Sequence, residues 1–443
     1  MQDLRDKNIN ITKTLRSLSF HNFIGLCSIF FLGLIDTFFL GMKSEKDFAI
    51  AIMGSPIIFL IIGVFIGIAN AKTVYFSKKI NEGYVVLSEK SNYLDFIILS
   101  FLLLFVFSIF TSINDILNFI RIEDSFINET SLYIKIHYIG AFFCVANTLK
   151  SAYLRSIGDS RVPSRIMLIT ALLNVVLDPI FIFYFDLGAQ GAAIATLSAW
   201  TIAFFYLHYY YHFELKYSLF KRKATRLFNF FKIIPSFVIS QILNSITFII
   251  IMYFINVYGS EIVAGFGFGV RLDKIVVIIA FAFGSAFTVF AGQNFSDKER
   301  CLVSYKKALL DSFLFSVGFS IVIYLLSPMV SIVFNLGDKS SEILENFLMF
   351  NIFISVFNTL YTINSSYLNV SNAHNKVLLS NMTKTLILLP ILAYYFVESK
   401  GFEGIYYSLI AVSIISNIVL IVLSKKEFKT LININTEIKM INN

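Results

Sequence analysis

The chain has 443 residues, of which 57% are hydrophobic and only 14% charged. Soluble domains carry about 25% charged residues, so this composition excludes an ordinary water-soluble protein and describes one built for lipid. The formal net charge of +8 would suit nucleic acid, but the basic residues collect between apolar segments, which is a mark of membrane topology.

The polar N-terminus, with Lys7, Lys13 and Arg16, runs into an apolar stretch from Leu18 to Leu40. A signal peptide has a shorter apolar core and a small-residue cleavage site, so this reads as a retained first span. Crossing a bilayer takes about 20 apolar residues per helix. Segments of that length fall near 17–41, 48–76, 93–113, 131–154, 163–185 and 188–212, then near 229–258, 261–292, 304–334, 343–370, 376–397 and 402–424. The expected fold is therefore an all-α polytopic membrane protein of twelve transmembrane helices. With the N-terminus inside, inner segments hold 26 Lys and Arg and outer loops hold 5. By the positive-inside rule both termini are cytoplasmic and the protein is multi-pass in the cytoplasmic (inner) membrane. Cys27, Cys144 and Cys301 lie far apart without metal-ligand spacing, which predicts free thiols and no bound metal or cofactor.

The longest basic connection, "FELKYSLFKRKATRLFNFFK" at 213–232, divides the chain nearly in half. It predicts an N-terminal lobe over 1–212, a cytoplasmic linker over 213–228 and a C-terminal lobe over 229–443. The two halves superpose with an offset of about 214 residues, a parallel repeat of the kind secondary transporters use. "TVYFSKK" (73–79) meets "TVFAGQN" (288–294), Asp95 meets Asp311, and "LGAQGAA" (187–193) meets "KGFEGIY" (400–406). The expected architecture is two pseudo-symmetric six-helix lobes.

Two aspartates break this symmetry, because Asp36 and Asp178 align with apolar residues of the second half. A mid-span carboxylate costs about 2.5–3.5 kcal/mol on insertion scales and is functional by default. Counted from the outer ends of their spans, Asp36 lies about 7 Å deep and Asp178 and Thr196 about 12 Å deep, at 1.5 Å per residue. Asn174 is one turn from Asp178 on the same face. Pro179 removes a backbone donor, frees the Val175 carbonyl and bends the helix beside the carboxylate. Carboxylates, amide and hydroxyl together suit either a proton or a hard alkali cation such as Na⁺.

Weaker candidates follow. Arg271 and Asp273, with Lys274, form a possible second-lobe charge cluster that is either mutually neutralised or a coupling site. Asp311 is expected to pair with Lys307 near the inner face, with Asp95 behaving alike and Lys72 and Lys150 reaching toward the interface. Tyr133, Asn147, Gln241, Asn244, Asn358 and Tyr361 are polar residues that either line a substrate cleft or bond a neighbouring helix.

"GLIDTFFLG" (33–41), "LRSIGDSRVPSRIMLITALLNVVLDPIFIF" (154–183) and "LGAQGAAIATLSAW" (187–200) resemble the multidrug and toxic-compound extrusion (MATE) transporters. "GFGVRLDKI" (267–275) followed by "GQN" (292–294) resembles the second lobe of their DinF-like branch. The resemblance covers essentially the whole chain. It implies a cation-coupled antiporter, not an enzyme, that exports small-molecule organic cations and drugs by alternating access. It also implies that Asp36, Asn174, Asp178 and Thr196 form the cation-coupling site, with H⁺ or Na⁺ as the coupling ion. The expected partners are those substrates and membrane lipid, with no nucleic acid, and the expected state is a monomer. One alternative is a lipid-linked oligosaccharide flippase of the same superfamily, opposed by the acidic charge of the first lobe. An intramembrane aspartyl protease is opposed by the "LIDT" and "VLDP" contexts of the two aspartates. No Walker A motif supplies a site for ATP.

Overall fold

The computed structural model describes residues 4–82, 87–119, 124–211, 228–334 and 336–429, and the regular elements among them are helical. The first six helices are α1 (Ile11–Lys43), α2 (Glu45–Asn81), α3 (Leu87–Phe119), α4 (Asp124–Ser156), α5 (Arg161–Pro179) and α6 (Gly188–Tyr211). There follow α7 (Phe228–Ile255), α8 (Ser260–Gln293), α9 (Lys298–Leu325), the short α10 (Ser327–Val333) and α11 (Asp338–Val370). Then come α12 (His374–Met382), α13 (Leu389–Lys400) and α14 (Gly404–Leu423). Of the expected linker 213–228, only residue 228 lies within the described residues, as the start of α7.

Among the described residues, ten helical stretches are long and apolar enough to cross a membrane. The last of them, His374–Leu423, contains two passes, because α12 and α13 form one arm and α14 the other. α3 carries a shorter apolar core at Leu94–Leu104. The twelve crossings read from the sequence are thus all present as helices. Polarity is inverted relative to a soluble protein. Phe101, Leu104 and Ile332 face outward, whereas Asn174, Asn351, Ser312 and Ser380 are buried. Helices suit this setting because each satisfies its own backbone polar groups where no water is available.

Packing divides the chain into two units. One comprises Ile24–Phe76 and Gly83–Lys232; the other comprises Met1–Phe23, Ser77–Glu82 and Ile233–Asn443. The first turns of α1 accordingly belong with the second unit, where Leu4, Leu15 and Leu18 form a buried cluster with Ala286, Val289 and Phe290.

The internal repeat has a physical basis in its paired glycines. Gly188 and Gly401 both take positive φ, +53° and +62°, a region that L side chains enter only with strain. Three residues after each, Gly191 and Gly404 lie against the backbone of the preceding helical arm. A Cβ on Gly191 would come within 2.6 Å of the Phe181 carbonyl oxygen, and one on Gly404 would overlap the Phe396 carbonyl. Backbone cannot yield as a side-chain tip does, so Gly404→Ala should destabilise the fold by about 1–3 kcal/mol. Gly318, whose Cβ would meet nothing within 4 Å, is the control. Gly318→Ala should leave the melting temperature of the detergent-solubilised protein unchanged or raised. Equal melting of the two variants would remove the packing argument.

The repeat-matched aspartates also find partners, but not those read from the sequence. Asp311 is held by Arg16, whose Nε and guanidinium Nη2 donate to its two carboxylate oxygens at 2.8 Å each. Lys307, the expected partner, is exposed while Asp311 is 2% exposed. One face of α9 is turned inward and the next strip outward, so spacing along α9 did not decide the pairing. Asp95 pairs with Lys72, which is fully buried rather than reaching an interface, and the Lys72 ammonium also donates to the Leu149 carbonyl at 2.9 Å.

Candidate functional site in the first unit

α5 is positioned by the loop that precedes it. Gly158 turns the chain at φ +90°, and Asp159 Oδ1 accepts hydrogen bonds from the backbone of Arg161 (3.0 Å) and Val162 (3.2 Å). That carboxylate caps α5 and satisfies donors the helix leaves open at its start. The "GDSR" stretch therefore fixes where α5 begins, and with it the face that Asn174 and Asp178 present. Beyond Asp178, Pro179 is the last α residue, and the helix widens into a π turn over Ile180–Tyr184. π turns of this kind are frequent at functional sites.

Three of the four residues expected at the cation site are joined directly. Asn174 Nδ2 donates to Asp36 Oδ1 at 2.9 Å and to Thr196 Oγ1 at 3.1 Å. One amide from α5 thus ties together a carboxylate of α1 and a hydroxyl of α6. The Asp178 carboxyl lies close enough to that of Asp36 to interact with it. Asn174, Asp178 and Thr196 are buried, whereas Asp36 is half-buried. Beside Asp36, the Thr37 hydroxyl bonds back to the Gly33 carbonyl at 2.7 Å, a local bond of the kind that bends helices.

The acceptors of this site outnumber its donors. Both carboxylate oxygens of Asp178 and the amide oxygen of Asn174 are buried without a hydrogen-bond partner. Each such orphan costs about 1–3 kcal/mol, and more when charged. These unsatisfied oxygens lie one turn apart on α5, beside the Asp36 carboxylate of α1 and the Thr196 hydroxyl of α6, an oxygen set whose chemistry suits a proton between carboxyls or an alkali ion.

Tyr133, one of the polar residues considered for a substrate cleft, is buried within electrostatic reach of both Asp36 and Asp178. Its helix neighbour His137 packs against it with the rings tilted, their centres 4.4 Å apart, and with Nδ1 3.1 Å from the Tyr133 carbonyl oxygen. Asn147 bonds a neighbouring helix, donating to the Trp200 carbonyl at 3.1 Å. In the second unit, Asn244 Nδ2 donates to Gln241 Oε1 at 3.3 Å, and the Tyr361 hydroxyl donates to Asn381 Oδ1 at 2.7 Å. Asn358 lines a cavity. The Arg271 and Asp273 pair separates: Asp273 accepts from Asn351 Nδ2 at 2.8 Å, while Arg271 and Lys274 line a different cavity. Positions 271 and 273 point apart on a helix, so nearness in sequence did not bring their charges together. Lys384, one of the 26 Lys and Arg that the sequence assigns to inner segments, carries no site expectation from sequence. The residue stands ten positions into the arm that begins at His374, about 15 Å along it.

Comparison with known proteins decides the family. A family model for MatE matches residues 23–180 and 236–395, one match in each half. The chain belongs to this family. It is a multi-pass membrane transporter and not an enzyme. The chain is 33% identical over 186 residues to the probable multidrug resistance protein YpnP of Bacillus subtilis (strain 168), a match covering 40% of this chain and 41% of that protein. It is 28% identical over 332 residues to the FAD transporter of Shewanella oneidensis, covering 71% and 72% of the two chains. In three dimensions it matches the outward-facing conformation of a multidrug resistance MATE family transporter of the MOP superfamily, with TM-score 0.88 at 20% identity over 97% of this chain and 98% of that one. That likeness establishes the two-lobe fold.

Proposed function

We propose that the protein exports organic cations and drugs across the cytoplasmic membrane in exchange for inward H⁺ or Na⁺, with Asp36, Asn174, Asp178 and Thr196 as the coupling site. The observation that carries this reading is the set of three buried, partnerless oxygens on Asn174 and Asp178 beside the Asn174–Asp36 bond. Burying the Asp178 carboxylate without a partner, next to a second carboxylate at Asp36, is unfavourable. A proton or Na⁺ entering the cluster satisfies the orphans and draws the α1, α5 and α6 side chains together. Pro179 and the π turn after it supply a segment of α5 that bends without breaking a continuous ladder. If loading the cation disfavours bound substrate, then substrate must expel the cation by the same factor, which is antiport.

The protein acts as a monomer with both termini in the cytoplasm, surrounded by membrane lipid, and the lobes over 1–212 and 229–443 alternate access about the linker. The deciding experiment uses purified protein in liposomes and a fluorescent organic cation, with a pH gradient and a Na⁺ gradient imposed separately. Accumulation driven by one of the two is expected and names the coupling ion. Accumulation that follows neither gradient would overturn the antiport reading.

A further inference from the structure

The second unit contains a cavity of about 170 Å³, lined by Asp273, Asn351, Asn358, Lys384, Thr247 and apolar side chains that include Phe266 and Phe347. Opposite charges reach it from different helices without closing on each other. Asp273, on α8, accepts one hydrogen bond, from Asn351 of α11. Lys384 makes no ion pair among the described residues, and its ammonium lies 5.1 Å from the centre of the Tyr361 ring. Asp273 and Lys384 are both half-buried, so neither charge is sealed away.

Lys384 owes its place to a backbone irregularity. Residues Thr383–Leu388 form a π turn between α12 and α13, and the next residue, Thr385, is pinned to Thr247 of α7 by a 2.9 Å hydroxyl contact. The first unit also breaks its fifth helix with a π turn, which begins at Ile180, after Pro179. Each unit therefore holds an ionisable side chain in or next to a widened helix turn, Asp178 two residues before one and Lys384 inside the other.

We propose that this cavity is a binding site for the charged head of zwitterionic compounds, with Lys384 receiving a carboxylate and Asp273 receiving an amine. Two opposite charges facing one small apolar-walled space complement a group that carries both. A simple cation would leave Lys384 opposed to it; a simple anion would meet Asp273. The assignment rests on the reading of this chain as an exporter of amine-bearing compounds and narrows it to those that also bear an acid.

The test is equilibrium binding to the purified full chain, at a mildly acidic pH that keeps the ester amine protonated, of three tritiated probes: phenylalanine, its methyl ester and N-acetylphenylalanine. The zwitterion should bind about tenfold tighter than the ester or the anion, the effect of one charge-assisted hydrogen bond. Lys384→Met should abolish the preference over the ester while leaving ester binding intact or improved, and Lys384→Arg should retain it. Asp273→Asn should abolish the preference over the anion. Equal binding of zwitterion and ester to the unmodified protein overturns the proposal, as does equal weakening of both by Lys384→Met in a variant that still melts like the parent. Binding at equilibrium needs no ion gradient, so a failure of the coupling reading leaves this result legible. Gradient-driven export of a simple cation without any preference for the zwitterion would sink this site alone.

Discussion

Asp178→Asn is expected to abolish gradient-driven export while leaving the folded protein and its substrate binding in place. The substitution keeps the shape of the side chain and removes the charge that a proton or Na⁺ would neutralise. Hydrogen bonds to charged groups contribute about 1.5–3 kcal/mol, so a cation held by this carboxylate should bind about 10- to 100-fold more weakly. Asn also brings a donor into a cluster whose Asp178 and Asn174 oxygens lack partners, which stabilises the unloaded state and opposes the cation further. Asp36→Asn should act in the same direction, because Asp36 accepts the Asn174 amide and faces Asp178. Thr196→Val removes only a neutral hydroxyl and should cost less than either. The measurement is export of a fluorescent cation from liposomes under the productive gradient, paired with equilibrium binding of the same cation. Export at the parental rate in both aspartate variants would remove this cluster from the coupling mechanism. Loss of export together with loss of substrate binding would instead make it part of the substrate site.

How far the sequence revealed this structure depends on the range of the interaction concerned. The helices were legible because apolar runs of about 20 residues have few other solutions in a chain with so little charge. The cluster on α5 was legible for a similar reason: Asn174 and Asp178 are four residues apart, and Pro179 marks the distortion that follows them. Pairings between helices were not. Asp311 appeared to have a partner in Lys307 on its own helix, yet Arg16, 295 residues away, takes both of its oxygens. Arg271 and Asp273 stand two residues apart and serve different cavities. Lys384 looked like another inner-loop cation because positional counting has no term for a π turn that carries a lysine into a cavity wall. Tyr133 shows the converse, a residue read as lining a substrate cleft or bonding a neighbouring helix that the fold buries within electrostatic reach of both carboxylates. Local spacing identifies which residues are unusual; tertiary packing decides what they face.

The buried pair on α2 and α3 should show how much of the first unit depends on charge neutralised inside it. Lys72 is fully buried and Asp95 is 4% exposed, and Lys150 lies near enough to interact with both. Removing one partner of a buried ion pair leaves an uncompensated charge and costs about 3–5 kcal/mol, whereas replacing both with apolar groups is often neutral or stabilising. Asp95→Leu is therefore expected to unfold the detergent-solubilised protein many degrees below the parent, or to prevent its accumulation. Lys72→Met combined with Asp95→Leu should recover most of that loss, although the Lys72 bond to the Leu149 carbonyl is also removed. Lys150, whose ammonium lies 5.5 Å from the centre of the Tyr153 ring, is left unchanged in either variant. Thermal unfolding of the single and double variants compares the two terms directly. A double variant as unstable as the single one would mean that Asp95 serves Lys150 and not Lys72. Full recovery would show that the pair adds little net stability and that the first unit tolerates these charges only because each offsets the other.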